Sequence, residues 1–366
     1  MSGADEESRL KALRARIDAL DEEIQRLVAE RAACAREIAE VKRAAGETGN
    51  GLYRPEREAE ILRRVVARNE GPLSDEAIAR LFRELMSACR AVQGPVRVAY
   101  LGPEGTFTQE AALKQFGSFA ELRPLGSIDA VFREVEADAA DHGVVPVENS
   151  TEGVVTHTLD RLLASPLAIC GEVELRVHHN LLARSGALAD VRRVYAHQQA
   201  LAQCRGWLEA NLPRAERVAV ASNAEAARRA AEEAGAAAVA SEAAAGRYGL
   251  RVLARNIEDD PGNATRFLVI GPQSPPPSGD DKTSLVLSAR NEPGALHRLV
   301  APLARHGISM TRIESRPSRR GRWEYVFFVD IEGHARDPKV AAALAELERE
   351  ATLFRVLGAY PRALPV

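Results

Sequence analysis

Residues 10–42 read LKALRARIDALDEEIQRLVAERAACAREIAEVK, and the spacing of their apolar side chains decides the N-terminal fold. Leu10, Leu13, Ile17, Leu20, Ile24, Leu27, Cys34, Ile38 and Val41 alternate steps of three and four, the period of a helix with one apolar seam. Arg31 occupies the single seam position between Leu27 and Cys34, and Arg14 and Lys42 each lie four residues beyond an apolar member. Taken singly, each cation can snorkel to water or pair with an acid of a packed helix. Three on one helix point instead to a small dianion. Arg31 and Lys42 are three turns apart on one face, about 16 Å between Cα atoms, a gap that two long side chains can close. Arg14 lies about 25 Å from Arg31 and reaches the same ligand only from a second copy. The spacing therefore predicts an intertwined dimer with sites shared between chains.

The 366 residues allow two or three domains, and 46% hydrophobic with 28% charged residues is a globular composition. A net charge of -3 gives no footprint for nucleic acid. Cys34, Cys89, Cys170 and Cys204 have neither CxxC nor metal-ligand spacing, so no metal is expected. MSGADEESR at the start lacks an apolar run, and no apolar stretch is long enough for a bilayer. The expectation is a cytoplasmic protein without membrane contact.

Gly46 to Gly51 reads as a loop, Pro55 opens a second helix carrying Glu58 on the face of Ile61, Leu62 and Val65, and Ser74 caps a third. That third helix is expected to bury Ile78, Leu81, Phe82, Leu85 and Cys89, with Gln93 near the same stripe. Three helices in under 95 residues enclose little core, which again favours a dimer.

These helices resemble the AroQ-type chorismate mutase domain fused to prephenate dehydratase in the bifunctional P-protein family, and the resemblance extends over essentially the whole chain. It implies that Arg14 of the partner, Arg31 and Lys42 hold the carboxylates of chorismate, with Arg57, Glu58 and Gln93 at matching positions. Arg54 stands where an acidic residue contacts substrate and Cys89 where a serine lies; both depart from the family pattern. The implied reaction is a unimolecular Claisen rearrangement to prephenate. Lys42 and Gln93 would donate to the breaking ether oxygen, and Glu58 would accept from the ring hydroxyl.

From Pro95 short β-rich runs alternate with helical ones: Val96 to Leu101, Gly143 to Val147, Leu167 to Cys170, Val191 to Ala196, Arg217 to Ala221, Ala237 to Ala240 and Phe267 to Ile270. The alternation predicts an α/β domain of two lobes, with parallel strands and binding loops at their carboxyl ends. Gly102-Pro103-Glu104-Gly105-Thr106-Phe107-Thr108 follows the first strand and suits a carboxylate, or is an ordinary strand-to-helix turn. Val145-Pro146-Val147-Glu148-Asn149-Ser150-Thr151-Glu152-Gly153 is a polar cluster after a strand, or a helix cap at Ser150 or Thr151. Asn263-Ala264-Thr265-Arg266-Phe267 precedes the last strand.

GPEGTFT, VPVENSTEG and NATRF resemble prephenate dehydratase in order and spacing. The resemblance puts Thr265 at the centre, as donor to the departing ring hydroxyl while the ring carboxylate leaves as CO2. Arg266 is then an anion contact or a structural residue, and Glu148 the alternative acid. Asn149, Ser150, Phe267 and Thr106 join the substrate-binding set, with Gln199 and Ser222 from the second lobe. Helix capping by Ser222 or Asn223 is the local alternative.

Pro272 to Asp281 reads as a stiff polar linker. Beyond it the order is strand (Ser284 to Ala289), helix (Ala295 to His306), strand (Ser309 to Ser315), strand (Trp323 to Ile331), helix (Pro338 to Ala351) and strand (Phe354 to Leu357), a ferredoxin-like plait. It resembles an ACT domain, with Gly294-Ala295-Leu296 and Glu314-Ser315-Arg316-Pro317 matching its effector motifs; phenylalanine is the implied effector, bound between paired ACT domains. The fold class is thus multidomain: an all-α mutase at 1–94, a two-lobed α/β dehydratase at 95–272, a linker at 273–282 and an α+β ACT domain at 283–366. No cofactor is implied. Two other readings stay open, a dehydratase with a merely dimerising N-terminal domain and a non-catalytic amino-acid sensor.

Overall fold

The computed structural model describes residues 3–44, 53–317 and 325–364; the expected loop at Gly46 to Gly51 and the strand start at Trp323 lie outside them. The quoted stretch forms one unbroken helix, α1 (Gly3–Ala44). Its seam is largely bare: Leu10, Leu13, Ile17, Leu20, Ile24, Leu27, Ile38 and Val41 are all exposed, while beside the seam Ala35 and Ala39 near the helix end are buried. Helices α2 (Pro55–Ala67) and α3 (Asp75–Ala91) follow, the first with Pro55 in its first turn and the second capped by Ser74, whose side chain accepts from the Ala77 amide. The covered face of α3 differs from the expected one. Ala79, Met86, Ser87, Cys89 and Arg90 are buried and Leu81 is exposed, because α3 turns its polar side to the next domain. There the Ser118 amide donates to Glu84 and the Phe119 amide to Ser87.

The next domain begins with β1 (Arg97–Leu101), α4 (Phe107–Phe116), β2 (Glu121–Leu125), α5 (Ile128–Glu136), β3 (His142–Asn149), β4 (Gly153–Val154), α6 (Thr156–Ala164) and β5 (Ala168–Arg176). The chain then crosses to a second lobe: β6 (Asn180–Ala183), β7 (Arg193–His197), α7 (Gln198–Gln203), α8 (Arg205–Asn211), β8 (Glu216–Val220), α9 (Asn223–Glu232), β9 (Ala236–Ala240), α10 (Glu242–Tyr248) and β10 (Arg251–Ala254). It returns as β11 (Ala264–Gly271) into the first sheet, whose order is β2-β1-β3-β11-β5 with β4 on β3; the second sheet runs β10-β6-β9-β7-β8.

The sheets are mixed, not parallel as the alternation suggested. β1 is parallel to β2 and β3, but β11 is antiparallel to both β3 and β5, and β6 is antiparallel to β9 and β10. The exceptions flank the two crossings between lobes, where the chain enters the next sheet without the crossover helix that a parallel connection needs. β11 is therefore fixed between β3 and β5 but is fed from the other lobe.

The plait is present as β12 (Asp281–Ser288), α11 (Ala295–Arg305), β13 (Met310–Pro317), β14 (Tyr325–Glu332), α12 (Pro338–Glu350) and β15 (Leu353–Pro361), in sheet order β13-β14-β12-β15. One face packs on its own helices through Leu285, Leu299, Val329, Ala343 and Leu347. The other shares a core with the first lobe: Val286, Phe328, Leu357 and Tyr360 lie in one cluster with Phe132, Leu159, Ile169 and Leu268. At the crossing Gly358 lies so close to the Ile169 backbone that a β-carbon would collide with it. The preceding strap is no free spacer. Gln273 accepts from the Cys170 thiol, Pro275 lies against His334, and Ser278 accepts from Arg63 of α2.

Candidate active sites

Two clusters of predicted residues are differently equipped. On α1, Arg31 and Lys42 are half-buried and Arg14 is exposed, with eleven and seventeen residues of continuous helix separating the pairs. Arg31 is among the cations that act on Glu58, so α1 and α2 do approach there. Glu58 is nevertheless engaged. It pairs with Arg90 of α3, and Arg90 donates onward to the Phe116 carbonyl of the neighbouring domain at 2.6 Å. Burial pushes the Glu58 carboxyl up while Arg90 pulls it down. Within one chain Glu58 Oε1 thus joins α2 to α3 and, through Arg90, to the neighbouring domain, a contact that its expected role did not include. Arg57 is likewise turned to Glu60 at 2.6 Å. Arg54 precedes α2, 3.8 Å from Glu56, while Cys89 is buried and Gln93 sits half-buried just past the end of α3, its backbone N–H donating to the Arg90 carbonyl.

Between the two lobes of the α/β domain lies a cavity of about 1150 Å³, and six of the expected residues meet on its wall: Thr106, Asn149, Gln199, Ser222, Thr265 and Phe267. Each position follows from local structure. Thr106 caps α4 and Ser222 caps α9, so two helix N-termini open on the cavity from opposite lobes. Thr265 and Asn149 are register partners on β11 and β3. Asn149 Nδ2 donates to Thr265 Oγ1 and to Asn263 Oδ1, 2.8 Å each, while Asn149 Oδ1 accepts from the Thr151 and Glu152 amides. The Thr265 oxygen therefore has its donor neighbour fixed, which leaves the hydroxyl proton for an acceptor in the cavity.

Three residues expected at the dehydratase site, Glu148, Ser150 and Arg266, do not reach that wall. A strand alternates faces, so Glu148 and Arg266, one residue from Asn149 and Thr265, point to the opposite side. Glu148 pairs with Arg312 of β13 at 2.8 Å, and Arg266 pairs with Glu172 at 2.8 Å and Asp330 of β14 at 2.6 Å. Neither lines the cavity, and the geometry of Arg266 corresponds to the structural one of its two readings. Ser150 accepts from the Ala264 amide and pins the β3 loop to β11. In the plait, Arg316 donates to the Thr156 carbonyl and pairs with Asp160 of α6, so it too faces the first lobe.

Gly294, with a φ of 76°, is the left-handed residue that opens α11; Ala295 and Leu296 follow in its first turn, and on β13 Glu314 is half-buried just before the exposed Ser315, with Pro317 exposed beyond Arg316.

Sequence reasoning missed the polar chain behind Asn149. Asn263 Nδ2 donates to Gln203 Oε1 at 3.1 Å, and His179 Nε2 meets the same oxygen at 2.8 Å. Burial holds the His179 imidazole below its usual pKa, hence neutral, and Phe107 lies edge-on to it at 5.7 Å between ring centres. Asn263 stood in a quoted motif; Gln203 and His179 had no local signal, being joined only where the crossings between lobes meet. Across the mouth, Tyr248 donates to the Glu104 carbonyl at 3.0 Å and Arg247 pairs with Glu104, tying the GPEGTFT loop to α10.

Three family models match in succession: chorismate mutase type II over residues 13–94, prephenate dehydratase over 98–275 and the ACT domain over 283–349. A bifunctional chorismate mutase/prephenate dehydratase of Stutzerimonas stutzeri is 56% identical over 367 aligned residues, covering 100% of both chains. The chain belongs to the bifunctional chorismate mutase/prephenate dehydratase family. It is an enzyme with a helical mutase domain, a two-lobed dehydratase domain and an ACT domain. A prephenate dehydratase from Arthrobacter aurescens, solved in complex with L-Phe, is 38% identical with a TM-score of 0.69, covering 73% of this chain and 90% of its own. GqqA, described as a novel type of quorum quenching acylase, reaches 33% identity and a TM-score of 0.68, over 73% of this chain and 98% of its own. The dehydratase fold by itself thus carries more than one activity, and the full-length likeness including the mutase helices makes the assignment.

Proposed function

We propose that the chain converts chorismate to prephenate on its helical domain, as a dimer, and prephenate to phenylpyruvate in the cavity between the lobes. The observation that carries the second half is the Thr265 hydroxyl, held by Asn149 on the cavity wall with its proton unspent. Prephenate is a dianion, and the opposed N-termini of α4 and α9 suit its carboxylates. Thr265 donates to the departing ring hydroxyl as the ring carboxylate leaves as CO2, and aromatisation supplies the driving force, so a donor as weak as a threonine suffices. The neutral His179, Gln203 and Asn263 hold Asn149 from behind and keep the donor in place.

The first half rests on the bare seam of α1. Eight exposed large apolar side chains along one helix face call for a partner of matching length, and a second copy supplies both that surface and the Arg14 that Arg31 and Lys42 cannot meet within their own chain. Phenylalanine, which the Arthrobacter aurescens relative binds, is the effector of the ACT domain here, with Gly294 and the β13 motif as its site. The domain division at 1–94, 95–272, 273–282 and 283–366 and a cytoplasmic setting belong to the same reading; no described helix is long and apolar enough to cross a membrane. The test is to supply purified protein with chorismate and, separately, prephenate, following substrate loss and phenylpyruvate with and without phenylalanine. Loss of prephenate without phenylpyruvate would refute the dehydratase assignment, and inert chorismate would leave α1 a dimerising device.

A further inference from the structure

The two residues that left the cavity wall share a second arrangement. Asn149 with Thr265, and Glu148 with Arg266, are consecutive register pairs of β3 and β11. The first pair faces the cavity; the second faces the ACT sheet. There Arg312 and Asp330, themselves register partners on β13 and β14, receive them: Glu148 to Arg312 at 2.8 Å and Arg266 to Asp330 at 2.6 Å. Four charges of alternating sign thus close a ring between two sheets, directly behind the two hydrogen-bonded residues of the site.

The ring is anchored on every side. Arg266 also donates to Glu172 at 2.8 Å and to the Tyr360 hydroxyl at 3.0 Å, Lys282 donates to Glu172 at 2.7 Å, and Ser284 bonds both Asp330 and Tyr360. Arg266 and Arg312 side chains are each only 12% exposed and Asp330 7%, so these charges have little water to fall back on and each depends on its partner. Burial alone would raise the Asp330 carboxyl, yet Arg266 and the Ser284 hydroxyl hold it below its ordinary value. Arg312 Nη2 is buried with no hydrogen-bond partner, and the guanidinium meets Glu148 through Nε. On β13 the residues that share the Arg312 face are Glu314 and Arg316, two and four positions on, within the Glu314 to Pro317 motif.

We infer that the Glu148–Arg312 and Arg266–Asp330 pairs are positioning residues for dehydration: they fix the backbone from which Asn149 and Thr265 project, and they pass the state of β13 to that hydrogen bond. A displacement of β13 on binding its effector pulls Arg312 away from or along Glu148. The adjoining residue, Asn149, then moves relative to Thr265. The shift needed is small, because a hydrogen bond at 2.8 Å weakens within a few tenths of an ångström and with angle. The part concerning β13 rests on the effector reading given above; the part concerning Asn149 and Thr265 does not.

Glu148→Gln, Arg312→Met and the double variant test this, since Glu148 lies at the half-exposed rim of the ring, Gln is isosteric with Glu, and Met replaces the aliphatic stem of Arg312 without its charge. Mutase activity, housed in another domain, reports folding in the same sample. The expected result is a fall of about three- to tenfold in dehydratase kcat with KM for prephenate held, the same in the double as in either single, as for groups acting as one unit. At saturating phenylalanine the wild type should be inhibited. The variants retain at least half of their own uninhibited rate while still binding phenylalanine in equilibrium dialysis, and Arg312→Lys, which keeps the charge, recovers part of the inhibition. Wild-type kcat together with wild-type inhibition in both singles would overturn the proposal, as would additive losses in the double. If phenylalanine bound neither wild type nor variant, the effector reading would fall by itself, and the kcat loss with its non-additivity would still decide the positioning claim.

Discussion

The apolar seam of α1 and the β3–β11 pair stand at opposite extremes. Along α1, leucines and isoleucines that would each contribute about 1.5–3 kcal/mol when buried are left half in water. Around β3 and β11, Val144, Val145, Val269 and Ile270 are fully covered, and even the charged residues on the back of the strands are paired. The difference teaches where each activity is completed. The cavity wall of the dehydratase domain is assembled within a single chain, whereas Arg14 and most of the apolar seam of α1 lie exposed, and the proposed dimer would cover them.

The sharpest way to break this contrast is Thr265→Val, expected to lower dehydratase turnover by on the order of 10²- to 10⁴-fold while chorismate turnover is unchanged. A variant with full phenylpyruvate formation would remove Thr265 from the chemistry. Arg31→Ala is expected to lower mutase turnover about 10²- to 10³-fold and leave the dehydratase alone. Because Arg14 and Arg31 would serve one site from two chains, mixing inactive Arg14→Ala and Arg31→Ala proteins should restore about one quarter of wild-type mutase activity, the share of intact sites in a random mixture. No recovery on mixing would place each site within one chain.

Two further measurements probe what supports the strands. Gly358→Val forces a side chain onto the Ile169 backbone where the ACT sheet crosses the first lobe, and should cost about 3 kcal/mol, read as a lowered unfolding midpoint of the dehydratase–ACT unit. At the start of β3, His142 is buried against Tyr53 and Phe116, and burial brings its pKa down to about 4. The native state then binds fewer protons than the unfolded chain between about pH 6.5 and 4. Its contribution is intact above that window and is lost as pH falls through it, by about 3 kcal/mol. His142→Phe should flatten the stability profile there; an unchanged slope would mean that His142 is not the titrating group.

Much of this was legible from the chain alone. Helix periodicity specified α1 and the oddity of Arg31, turn and cap residues gave Pro55, Ser74 and Ser222 their places, and the βαββαβ order of the plait follows from local runs. The loops with Thr106, Asn149 and Thr265 were found as motifs because each is a short contiguous string at a strand end. These features depend on neighbours within a few residues, which the sequence displays directly. Contacts across the fold were not on display. Nothing near Glu148 or Arg266 says that they turn from the cavity, since alternation gives opposite faces without saying which face holds ligand. Gln203 and His179 gain their role only where two crossings meet, and Glu58 becomes a joint only because Arg90 of α3 reaches it. The sequence by itself determined the elements, their order and the strings that carry the chemistry. Tertiary structure decided which face of each strand lines the cavity and which meets another domain, because burial and charge pairing are settled by partners distant in the chain.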